Sequence, residues 1–246
     1  MIIKTFKEKS ALFLCIFLLL TSCASEVAPV NGKFIPDQHD GSSLSHLMKS
    51  DIDRVADIES RENTKSLRLL MIKLYKRNPV ELKKSTSGSV DDMVAWVFEG
   101  NHHWNFDALK GVQGTDAIYL AFKPEYKGDR VLALIVGLQT MMTKARGGKT
   151  EFFLTDSVDA QSVYNSARNV EITAWKLSNT RDEKGQLYFL TNEMSASSKE
   201  QNLSFEREIG KIVGRTDLYA FTLSEKSQRA LTRFTQSIAT ALLLPI

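Results

Sequence analysis

The chain has 246 residues, of which 43% are hydrophobic and 25% are charged, so it can bury a core and is not disordered throughout. Its formal net charge is +3, but residues 1–22 carry +2 of this, and the remaining 29 basic and 28 acidic residues nearly cancel. A nearly neutral body has no long-range field that attracts nucleic acid, and we expect no such partner.

The first 23 residues have the three parts of an export signal. Three lysines among residues 1–10 precede an apolar run of ten residues, 11–20. This run is too short to span a bilayer as a helix, which takes about 20 residues, and it is typical of a signal peptide. The tetrapeptide Leu20-Thr21-Ser22-Cys23 follows. It resembles the lipobox of bacterial lipoproteins.

The lipobox resemblance implies removal of residues 1–22 and lipidation of Cys23, which receives a diacylglyceryl group and an acyl chain. Ala24, where an aspartate would favour retention in the inner membrane, indicates the outer membrane, facing the periplasm. Two alternatives remain, which are cleavage by an ordinary signal peptidase and retention of the apolar run as an anchor. The other cysteine, Cys15, lies in the removed segment, so lipidation would leave no thiol for a disulfide, a zinc site or catalysis.

Residues 24–43 contain two prolines and two glycines and show no hydrophobic period, so we predict that residues 23–43 form a lipidated, flexible tether. From residue 44 onward, apolar residues recur at every third or fourth position. This pattern predicts an all-α protein, with about seven helices in one bundle-like domain over 44–246. One stretch, 187–190, is a strand or an extended connection.

Several residues mark the expected ends of these helices. Asn78-Pro79 ends one helix, and Gly147-Gly148 ends a central buried helix whose last turn holds Lys144 and Arg146. The expected N-terminal caps are Ser89, Thr115, Asp129, Ser157 or Asp159, Ser204, and Thr222 in a capping box. Gly210 and Gly214, which lie four residues apart, predict tight packing against another helix.

Five segments of this region resemble uncharacterised lipoproteins of proteobacterial envelopes. The segments are HHWNF (102–106), GVQGTDAI (111–118), GGKTEFF (147–153), RNVEITAWKLS (168–178) and SFEREIGKIVGRTDL (204–218). The resemblance implies a shared role in the envelope. It supplies no catalytic residue.

His102 and His103 form the only cluster among four histidines. Adjacent histidines bind one metal ion only if the backbone turns their rings together and other ligands come from elsewhere. No predicted helix carries a His-x-x-x-His or Glu-x-x-His pair that could supply these ligands. We therefore predict no metal and no cofactor, and a loop in which Trp104 and Phe106 dock onto the core.

Glu59 and Glu62 are the other candidates for chemistry. If one helix runs unbroken from Leu44 to Arg77, both carboxylates point inward and need arginine partners, because an unpaired buried charge is costly. Arg168 and Arg207 are the candidate partners. The alternative, which we favour, is that the polar run 60–66 breaks the helix or passes beyond the bundle.

The sequence thus favours a lipid-anchored domain without enzymatic activity that binds a partner in the envelope, whether protein, peptidoglycan or lipid. An envelope hydrolase or lyase that uses Glu59 or Glu62 with His102 or His103 is one alternative. A carrier of a small apolar ligand is another, and it would require a cavity along the helix at 131–142.

Overall fold

The computed structural model describes residues 49–149, 151–152, 157–191 and 204–242, all within the unit Leu47–Ile246. Over these residues the protein is all-α, as predicted, with seven α-helices and no strand. The helices are α1 (Asp51–Arg77), α2 (Pro79–Ser85), α3 (Val90–Glu99), α4 (Gly114–Phe122), α5 (Arg130–Ala145), α6 (Ala160–Asn179) and α7 (Ser204–Leu242). The predicted signal peptide, Cys23 and the tether lie outside the described residues.

Local side-chain chemistry sets most helix ends. Ser89 and Asp129 cap α3 and α5 as predicted, and Asp159, the second of two candidates, caps α6. Helix α1 ends at Arg77, before Asn78 and Pro79. That proline also opens α2, a short helix that was not predicted. Proline is well suited to the first position of a helix, because it has no backbone N–H to leave unpaired there.

Two predicted caps are wrong. Thr115 lies within α4, whose cap is Gln113, and the N–H of Gly114 instead donates to Thr140 Oγ1 at 2.7 Å. Thr222 lies inside α7, where its hydroxyl donates to the carbonyl of Leu218 at 2.8 Å. A threonine within a helix satisfies its hydroxyl on the carbonyl four residues earlier, so it does not start a new helix.

The break that we favoured at residues 60–66 is also wrong, because α1 runs unbroken through them. The two buried polar side chains of this run, Asn63 and Ser66, find partners on α7. Asn63 is fully buried and donates to Thr216 Oγ1 at 3.0 Å, while Ser66 accepts from Arg215 at 3.0 Å. Hydrogen bonds offset the cost of burying these groups, so the helix continues. The helix begins at Asp51, where Ser50 caps it in an extended conformation, so it does not run unbroken from Leu44.

Helix α5 is the central buried helix, as predicted, and every residue from 130 to 139 is buried. Helix α4 crosses it at Gly137, where an added Cβ would lie 2.7 Å from the backbone nitrogen of Ile118. The stretch 187–190 is not a strand, since Leu187 makes only an isolated antiparallel bridge to Arg181. Within the described ranges, no helix is both long enough and apolar enough to cross a membrane.

Candidate functional site

Glu59 lies in a buried polar cluster between α1, α7 and the end of α5. Arg146 Nη1 donates to Glu59 Oε2 at 2.6 Å, and the two side chains are only 2% and 4% exposed. Thr216 Oγ1 donates to Glu59 Oε1 at 2.9 Å, and Asn63 Nδ2 donates to the same oxygen. Both carboxylate oxygens are therefore satisfied and the two buried charges neutralise each other, which is the arrangement of a structural ion pair.

Glu59 has an arginine partner, as its burial requires, but this partner is neither of the two predicted arginines. Arg168 binds Asp217 at 2.6 Å, and Arg207 lies 3.7 Å from Glu208. Arg146 was interpreted as a residue of the last turn of α5, where a positive charge faces the helix dipole. Its reach to Glu59 depends on how α1 packs against α5, which the local sequence does not encode.

Glu62 does not point inward with Glu59. Its side chain is 32% exposed, and it pairs with Lys65 at 3.1 Å and with Arg61 at 3.5 Å. The inward position beyond Glu59 belongs to Asn63, one helical turn later. Glu59 and Glu62 therefore do not form a carboxylate pair.

His102 belongs to an aromatic cluster at the end of α3. Its ring lies 4.2 Å from the Phe106 ring and 5.2 Å from the Trp96 ring, between centroids. His102 Nε2 lies 2.6 Å from the carbonyl oxygen of Trp96, which makes this nitrogen the donor. Phe106 is buried and Trp104 packs against the core, so the loop docks as expected.

The candidate catalytic residues do not converge. His103 is exposed and has a left-handed backbone, with φ of 49°. Among the described residues, neither histidine shares a hydrogen bond or an ion pair with Glu59 or Glu62. In the same part of the chain, no three His, Cys, Asp or Glu side chains are grouped so that they could hold a metal ion.

A second buried polar cluster, at the start of α5, was not anticipated. Asp129 accepts hydrogen bonds from Tyr75 Oη and Ser85 Oγ, both at 2.7 Å, and Glu81 accepts from the backbone N–H of Arg130 at 2.7 Å. Burial raises the pKa of Asp129 above its ordinary value, although these hydrogen bonds oppose the shift. Burial and the Asp129 charge raise the pKa of Tyr75. The cluster satisfies backbone donors at the start of α5, which is a structural role.

A cavity lies along α5, between it and α1, α6 and α7. It has a volume of about 10 Å³ and is lined by apolar side chains that include Leu70, Leu138 and Leu177. This volume admits about one water molecule, whereas pockets for small ligands enclose about 300–1,000 Å³. The cavity is therefore too small for an apolar ligand.

The outer surface of α6 and α7 exposes several large apolar side chains. Ile172 and Trp175 are 52% and 65% exposed, and Leu218 and Phe221 are 64% and 61% exposed. The predicted packing of Gly210 and Gly214 is wrong, since a Cβ at either glycine meets no atom within 4 Å. We call this surface the α6–α7 face and define it by Ile172, Trp175, Gly210, Gly214, Leu218 and Phe221.

Comparison with known proteins does not assign a role to any of these residues. No protein-family model, curated protein or solved structure matches the chain. The function is therefore inferred from the sequence and from the geometry given above.

Proposed function

We propose that this protein is a lipid-anchored lipoprotein of the bacterial envelope and that its helical domain binds a partner. The observation that carries the binding role is the α6–α7 face, whose four large apolar side chains are more than half exposed on adjacent helices. Single exposed apolar residues are ordinary on a protein surface, whereas two pairs of large ones on adjacent helices are typical of an interaction site. The anchor is supported by the signal-like segment and by the Leu-Thr-Ser-Cys sequence that ends at Cys23.

Binding is better supported than catalysis. Arg146 neutralises Glu59, Glu62 faces outward, and His102 hydrogen-bonds to backbone in a separate loop. An enzyme would need some of these groups in one concave pocket. The carrier alternative has less support than binding, because the cavity along α5 holds about one water molecule.

The anchor is tested with the substitution Cys23→Ser in the full-length chain, expressed in a bacterium that is fed a clickable fatty acid. We expect the unmodified chain to be labelled and cut, and the Cys23→Ser chain to be unlabelled and to accumulate as the longer precursor. Cys15→Ser is the matched control, because it changes the other cysteine and should leave the labelling intact. Equal labelling of the Cys23→Ser chain would refute the anchor.

A further inference from the structure

Helices α6 and α7 run antiparallel, and an ion pair fixes their alignment. Arg168 on α6 binds Asp217 on α7 at 2.6 Å. The alignment continues on either side, since Val163 packs in one cluster with Tyr219, and Leu177 lines one cavity with Ile209. Both helices rise by the same amount per residue, so a step forward on α6 matches a step back on α7. Trp175 therefore lies level with Gly210, and Glu171 with Gly214.

Large side chains on α6 thus lie beside glycines on α7. Ile172 and Trp175 project from α6, while Gly210 and Gly214 leave a depression along α7. Glycine weakens a helix relative to alanine, and nothing within the described fold requires glycine at these two positions. A helix surface without side chains lets another element approach its backbone closely.

We infer that a second copy of this chain occupies the α6–α7 face, related by a two-fold axis parallel to the helices. This rotation places α6 of one copy on α7 of the other without changing the level. Trp175 and Ile172 of each copy then fill the depression at Gly210 and Gly214 of the other, so the face is complementary to itself. Closed two-fold pairs are the commonest oligomers. The inference rests on the proposed function, because it names the occupant of the same face.

The charges beside this face are already paired within the chain, so they do not oppose the arrangement. On α6, Glu171 lies 3.3 Å from Arg168. Near the glycines of α7, Lys211 and Arg207 lie 2.9 Å and 3.7 Å from Glu208. These pairs can stay together when α6 meets α7 of the second copy, so the contact leaves none of these charges without a partner.

The size of the face indicates a weak pair. Helix α6 has 20 residues and is therefore about 30 Å long. Two packed helices are about 20 Å wide, which gives about 600 Å² on each copy, near the lower limit for specific interfaces. Copies that are anchored to one membrane are held close together, which favours a weak pair.

The test uses the full-length chain in intact cells, with a photo-crosslinking phenylalanine analogue in place of Trp175. We expect light to yield a covalent dimer of this chain, with the crosslink mapped by mass spectrometry to α7 of the second copy, near Gly210. The same analogue at Val80, which is 68% exposed on α2, is the control and should give no dimer. Adding Gly214→Leu should reduce the dimer to the level of the Val80 control.

The remaining outcomes separate this inference from the proposed function. An adduct to a different protein overturns the second copy as occupant and leaves the binding role standing. A dimer that is crosslinked through another segment, or that survives Gly214→Leu, overturns the two-fold arrangement. The absence of any adduct overturns both the inference and the binding role of this face. The anchor is tested separately by the fatty-acid labelling of Cys23.

Discussion

Glu59 and Arg146 are each nearly inaccessible to water, so the stability of the fold depends on their being present together. Removing one partner leaves an uncompensated buried charge, which typically costs about 3–5 kcal/mol. We expect Glu59→Met and Arg146→Met each to lower the free energy of unfolding by this amount in urea titrations. The double substitution should cost less than either single one, because it leaves no buried charge behind.

The exposed pair between Arg68 and Glu99 is the control for this experiment. Its N–O distance is also 2.6 Å, but its side chains are 40% and 61% exposed. Exposed ion pairs are worth about 0–1 kcal/mol, so Glu99→Gln should change stability little. If the decreases in the free energy of unfolding for Glu59→Met and Arg146→Met simply added in the double variant, the two residues would not act as a pair. That result would contradict the structural role and support a catalytic role for Glu59.

At the scale of the helix, the same glycine substitution should have opposite effects in α5 and α7. Gly137→Ala places a methyl group against the backbone of α4, and we expect it to lower the free energy of unfolding by about 1–3 kcal/mol. In Gly210→Ala and Gly214→Ala the new methyl group meets no other atom. Each substitution should therefore raise the free energy of unfolding by about 0.5–1 kcal/mol, because alanine favours the helix more than glycine does. Urea midpoints of the three variants measure this. Destabilisation by either alanine in α7 would contradict the open surface described here.

The helix ends could be predicted from the sequence where the residues that fix them are close together in the chain. Ser89 and Asp129 were identified as caps because their partners lie three residues away, at a spacing visible in the sequence. The path of α1 through residues 60–66 was not identified, because Asn63 is satisfied by Thr216, 153 positions later. Local spacing likewise could not distinguish Gly137, which a neighbouring helix requires, from Gly210, which faces outward.

In the candidate site too, local spacing predicted some features, and others depend on how the helices pack. The inward position of Glu59 could be read from helical spacing, since it continues the apolar stripe of α1. The identity of its arginine, and the outward position of Glu62, depend on which helices meet there. The α6–α7 face was not predicted from the sequence. Ile172 lies two positions after the buried Val170 and therefore on the opposite side of α6, and only the packed structure shows that Ile172 and Trp175 are both exposed.

The whole molecule combines a proposed anchor at Cys23 with a proposed pairing face on the domain. A lipid at the N-terminus would confine every copy to a surface, so the relevant concentration is the number of copies per area of membrane. The three acyl chains of the proposed anchor would exceed the two signals that stable anchoring requires, so anchored copies should not exchange through water. Dilution of the membrane and dilution of the surrounding buffer should therefore have different effects on pairing.

We expect this difference to appear when the acylated full-length chain, with the photo-crosslinker at Trp175, is reconstituted in vesicles. Raising the ratio of lipid to protein should reduce the yield of covalent dimer, because the copies spread over more membrane. Adding buffer at a fixed ratio should leave the yield unchanged, because confinement to the surface is unaltered. The same chain in detergent micelles is the control, and there the yield should fall when the volume increases. A fall in the vesicle sample on adding buffer would mean that copies leave the membrane, and would contradict permanent anchoring.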